Sequence, residues 1–157
     1  MVPDIKITRP ELDQLLFNAL TAIYAFERDK VKRFELSYGQ IYLLQLLRRK
    51  SPSRMSEVAY RMGMPISTTT RLVARMERMQ LLERVIDEKD RRAILVSLTD
   101  NGEKTVRAVE DHSFGVLSTN LNDFSEDELD AFITTARCLD RILGTRPKNG
   151  SEAHSSK

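Results

Sequence analysis

Between Met55 and Leu98 the apolar residues change their spacing, and that change limits what the chain can become. Met55, Val58, Ala59 and Met62 recur at helical spacing around Ser56, a residue suited to cap the helix, and Gly63 stops the run. After Met64 and Pro65 a second helix is expected from near Ser67 to about Gln80. The period then shifts to alternation. Leu82 to Ile86 and Ala93 to Leu98 are β-compatible segments on either side of the polar run Asp87 to Arg92, which reads as a hairpin with Ile94, Val96 and Leu98 on one side.

Longer helices flank this middle. The first begins near Pro10 and carries Leu12, Leu15, Leu16, Ala19, Ile23 and Phe26 on one face, with no stop signal in the charged stretch Glu27 to Arg33. The next starts sharply: Ser37 caps it, Gln40 completes a capping box, and Leu36 with Ile41 forms a hydrophobic staple. It runs to about Arg49, where Ser51, Pro52 and Ser53 break it, and its leucines cover more than one stripe, so burial on two sides is expected. Thr99 is placed to cap a helix reaching roughly Leu121. A last helix opens on Ser125 with Glu128 and Phe124 with Leu129, and its stripe continues to Leu143 before Gly144. The tail from Thr145 to Lys157 has no apolar anchors and is expected to be disordered.

Composition excludes more than it selects. No apolar run approaches the roughly 20 residues of a membrane-spanning helix, and residues 1 to 9 lack a signal-peptide layout, so a soluble, cytoplasmic chain is expected. A single cysteine, Cys138, suits a reducing compartment. The net charge is only +2, yet from Arg54 to Arg92 nine basic residues stand against six acidic ones, so the basic surplus is in the middle. No Gly-rich phosphate loop, HExxH helix or cysteine pair is present, and His112 and His154 have no recognisable nucleophile partner. Neither a catalytic site, a cofactor nor a metal site is expected.

Two short helices joined by the tight link Gly63 to Ile66 match the helix-turn-helix plan, in which the second helix enters the DNA major groove. On that helix Thr69, Leu72, Val73, Met76 and Gln80 form a packing side. The opposite side presents Ser67, Arg71, Arg75 and Arg78, with Thr68 and Thr70 near its start. Hydroxyls and helix-terminal amides bind phosphates, and arginine forks onto guanine edges. The hairpin tip adds Lys89, Arg91 and Arg92, which suit the negative potential of an adjacent minor groove. Asp90 would be repelled by phosphate and is read instead as a wing-orienting residue, holding an arginine two positions away.

The stretch from Met55 to Thr99 resembles the MarR (multiple antibiotic resistance regulator) family. Ser67 to Glu77 is similar to its recognition helix, Asp87 to Ala93 to its wing signature, and Leu98 to Gly102 to its passage from wing to fifth helix. Thr69 departs from the pattern, standing where an aliphatic residue is usual, which implies looser packing beneath the helix. The resemblance implies a mainly α fold with a small β-hairpin wing (α+β): a winged helix-turn-helix lobe at 36–99, a helical dimerisation region at 1–35 and 100–144, and a tail at 145–157. It implies a homodimeric repressor on a pseudo-palindromic operator in double-stranded DNA. The sequence adds its own reason for a dimer, since the long amphipathic helices at the two ends exceed what the middle can cover. Members of the family often release DNA on binding a small aromatic or anionic effector; Tyr24, Tyr38 and Tyr42 lie where they would line such a cleft, although core or rim positions are commoner for tyrosine. Redox sensing through Cys138 is not expected. The alternative to a DNA-binding regulator is a winged-helix module that uses the same surface to bind protein.

Overall fold

The computed structural model describes residues 6–87, 90 and 93–145. Lys89, Arg91 and Arg92 of the expected site, and residues 146–157 of the expected disordered tail, lie outside the described residues. The described elements are α1 (Arg9–Phe34), α2 (Tyr38–Arg49), β1 (Ser53–Arg54), α3 (Met55–Met62), α4 (Ile66–Arg78), β2 (Leu82–Ile86), β3 (Ile94–Leu98), α5 (Asp100–Leu121), α6 (Glu126–Arg137) and α7 (Leu139–Ile142). They fall into two compact units that part between Ser113 and Phe114, within α5.

The first unit is built around α2. Ile41, Leu43, Leu44 and Leu47 are each no more than 1% exposed, the two-sided burial their spacing predicts. Val58 and Met62 of α3, Val73 and Met76 of α4, Val96 and Leu98 of β3, and Val106 and Val109 of α5 complete the same core. The strands form a three-stranded antiparallel sheet in the order β1-β3-β2, with Arg54 opposite Leu95 and Leu82 opposite Leu98. The third strand is a correction: Ser53 and Arg54, read as part of a break, pair with β3. Arg54 therefore arrives at α3 already extended, the helix starts at Met55 without a side-chain cap, and Ser56 lies inside it.

Local chemistry sets the other boundaries. The start of α1 precedes Pro10 because Glu11 accepts the Thr8 amide at 2.8 Å and the Thr8 hydroxyl at 2.7 Å. Its end is a left-handed Glu35 at φ 54°. The Ser37 and Gln40 box forms as expected, with the Ser37 amide donating to Gln40 at 2.7 Å. Gln80 is a second correction: α4 stops at Arg78, and Gln80 turns outward at φ 57° so that Leu81 can return to the core.

In the second unit, Ser125 donates its amide and its hydroxyl to Glu128, both at 2.9 Å. The backbone bond, then the hydroxyl, holds the Glu128 carboxyl below the usual glutamate range. A depressed value in the fold means that the capping contribution is complete above the ordinary glutamate range and fades as pH falls through the lowered value. An acid titration of the Ser125 and Glu128 amides by NMR is expected to show this step in the native protein. In Glu128→Gln, which keeps an acceptor but has no proton to lose, the step should vanish. The last helix differs from expectation in being interrupted at Cys138, whose amide donates to Thr135 at 3.1 Å in a tightened turn before α7.

Candidate nucleic-acid interface

The link between α3 and α4 is made by Gly63, whose left-handed φ of 62° lets its amide reach the Tyr60 carbonyl at 3.1 Å while Met64 reaches that of Ala59. Pro65, in extended conformation, then opens α4. On the packing side of α4, Val73 and Met76 are fully buried. Thr69 is fully buried too, and its hydroxyl donates to the Pro65 carbonyl at 3.2 Å, so the departure from an aliphatic residue leaves no orphaned polar group.

The opposite side of α4 is open. Ser67, Thr68, Arg71, Arg75 and Arg78 are exposed, and Thr70 is half-buried with its hydroxyl proton given to the Ile66 carbonyl at 2.7 Å. Arg71 and Arg75 stand one turn apart and Arg78 continues their row. None of the three forms an ion pair among the described residues. The first-turn amides of α4 have no intrahelical acceptor, as at any helix start. The open face thus combines hydroxyls, amides and uncommitted guanidinium groups.

The hairpin is fastened beside this face at two places. Arg84 of β2 reaches Glu77 of α4 at 3.1 Å. Arg54, in the edge strand, reaches Asp87 at 3.3 Å and Asp90 at 3.8 Å, two carboxylates three positions apart in the chain. The described arginine partner of Asp90 is therefore Arg54. Sequence reasoning missed it because the two residues lie far apart in the chain; the only available signal was an arginine next to a helix start, which has many uses. The other end of the hairpin is held by α5: Thr99 donates its hydroxyl to the Gln80 carbonyl at 2.7 Å and accepts the Gly102 amide at 3.0 Å.

A separate cleft of about 530 Å³ lies between α1 and the start of α2, walled by Leu20, Ile23, Tyr24, Val31 and Tyr38 with Glu27, Arg28 and Ser37. Tyr42 stacks on Tyr38, the rings nearly parallel and 6.1 Å apart. Burial, then the Glu27 carboxylate and Tyr42, raises the Tyr38 phenol above its ordinary value. Glu27 and Arg28, which the sequence reading passed over as part of a charged stretch, bring both signs of charge to this cleft. No group of three or more potential metal ligands occurs among the described residues, nor any helix long and apolar enough to cross a membrane. The Cys138 thiol donates to the Thr134 carbonyl at 2.8 Å.

Two helices joined by a tight turn, followed by a hairpin on the flank of the second, define a winged helix-turn-helix protein. Residues 36–94 match the MarR family model. The chain is 28% identical over 138 residues to the HTH-type transcriptional regulator YfiV of Bacillus subtilis (strain 168), covering 88% of this chain and 86% of that one. It is similar to a MarR family protein from Bacillus stearothermophilus of known structure, with 29% identity, a TM-score of 0.75 and coverage of 88% and 95%. The fold is also that of Streptococcus pneumoniae FabT, solved in complex with DNA, at 19% identity, a TM-score of 0.77 and coverage of 88% and 99%. The chain is thus similar to the MarR family model over residues 36–94 and to a MarR family protein over 88% of its length.

Proposed function

We propose that this protein is a sequence-specific, double-stranded DNA-binding transcriptional regulator that works as a homodimeric repressor. The observation that carries the reading is the open face of α4, where Arg71, Arg75 and Arg78 are exposed and unpaired among the described residues while the hairpin is fastened alongside. Ser67, Thr68 and the first-turn amides bind backbone phosphate, whereas Thr70, whose hydroxyl proton goes to the Ile66 carbonyl, would have to release that bond to join them. Arg71 and Arg75 read base edges, and Arg78 meets the flanking strand. Lys89, Arg91 and Arg92 are assigned to the minor groove on their sequence position alone.

Dimerisation through residues 1–35 and 100–144 is supported by surface that a single copy leaves uncovered. In α1, Phe17, Leu20 and Tyr24 are more than 60% exposed. In the second unit, Phe132 and Ile142 are more than half exposed, and α6 buries no residue. A second copy is the simplest cover, and a two-fold dimer reads half-sites about 10 base pairs apart. Repression follows from occupancy of the operator, and a small aromatic or anionic effector seated in the Tyr24 and Tyr38 cleft relieves it.

Selection of bound fragments from the source genome, repeated over a range of salt, tests the reading. Binding should enrich a pseudo-palindrome and weaken steeply as salt rises. Absence of binding to every duplex at low salt would transfer the open face to a protein partner. Activation without repression at the bound promoter would overturn the sign of regulation.

A further inference from the structure

We infer that Arg54 is a positioning residue for the wing: it clasps Asp87 and Asp90 and so fixes the hairpin loop relative to α3 and α4. The inference rests on the DNA-binding reading above and adds to it a residue that touches no reading face of α4. Three observations carry it. The Arg54 backbone is pinned on the helix side, paired with Leu95 in β3 and leading directly into α3. Its guanidinium spans two carboxylates of the loop, at 3.3 Å and 3.8 Å, and Asp87 is the more buried of the two, with a side-chain exposure of 15%. Those same two residues close the loop, since the Asp87 amide donates to Ala93 at 3.2 Å and the Ala93 amide donates to Asp90 at 2.8 Å. Arg54 therefore ties the loop's own closing residues to the helix-turn-helix. The pairing also offsets part of the negative charge that the two carboxylates bring to the wing, which reduces their repulsion of phosphate.

This makes an unusual demand on Asp87. If charge alone mattered, Asp87→Asn would tighten DNA binding by removing a repulsive carboxylate. The clasp requires the reverse: Asp87→Asn and Arg54→Gln should each weaken binding to the selected operator by about fivefold to tenfold, and the double variant should be little worse than either single one. Arg54→Lys, which keeps the charge and one contact, should recover part of the loss. Thermal midpoints should stay within about 2 °C of the parent, because partly exposed ion pairs contribute little to global stability. Hydrogen exchange of the Asp87 and Ala93 amides, measured without DNA, should quicken in Arg54→Gln. Tighter binding by Asp87→Asn, additive losses in the double variant, or unchanged exchange at both amides would each overturn the clasp. Should the parent protein bind no duplex, the regulator reading fails, and the exchange measurement still decides whether Arg54 orders the loop.

Discussion

Replacing Arg71 and Arg75 together by alanine is expected to weaken binding to the selected operator by about a hundredfold or more near physiological salt, with no loss of fold. A well-formed arginine contact to guanine contributes about 1 to 3 kcal/mol of discrimination, and two such contacts on one face make the loss large. Both side chains are exposed and neither has an ion-pair partner among the described residues, so their removal leaves no buried charge behind. Fluorescence anisotropy against the operator and a scrambled duplex, across a salt series, separates the two things an arginine can do. If the pair reads bases, the operator loses far more than the scramble. If it neutralises phosphate, both duplexes lose alike and the slope of log affinity against log salt falls by about one per arginine. Unchanged affinity in a folded double variant would remove α4 from the interface.

The second large effect concerns stability. A methyl group added at Gly102 would stand 2.1 Å from the Leu81 carbonyl oxygen and 3.2 Å from Leu98 Cδ2. Neither side yields easily: Leu81 is 5% exposed, its carbonyl accepts the Thr99 amide at 3.2 Å, and the Gly102 amide is held by the Thr99 hydroxyl. Gly102→Ala is therefore expected to push the start of α5 off the turn that follows α4, costing about 3 kcal/mol and lowering the thermal midpoint by about 10 °C. Gly115→Ala is the internal control. Nothing lies within 4 Å of its added carbon, and alanine is the better helix former, so its midpoint should hold or rise slightly. Calorimetric melts of the two variants that coincide would show that the close approach at Gly102 is not a constraint.

What the sequence made legible was local. Ser37 with Gln40 and Ser125 with Glu128 announce helix starts because each box is completed within four residues, and the structure forms both. Thr8 with Glu11 carries the same signal, and a reading that starts α1 at Pro10 overlooks it. The open and packed sides of α4 follow from helical periodicity, with Gln80 misplaced because the helix ends before reaching it. What escaped was set by distant partners. Two residues make β1, and nothing in Ser53 and Arg54 foretells a pairing with β3, more than forty positions away. The Arg54 clasp depends on that strand. The interruption at Cys138 carries neither glycine nor proline, so its sequence gives no warning.

The two fastenings of the hairpin are partly in water: Arg84 and Glu77 have side-chain exposures of 33% and 28%, Arg54 of 54%, and its partners Asp90 and Asp87 of 47% and 15%. Ions that screen the duplex over about 8 Å at physiological strength screen these ties as well. Added salt that makes counterion release from the nucleic acid less favourable thus also slackens the hand that grips it. A straight-line fit to a salt titration would then report more phosphates neutralised than the protein touches.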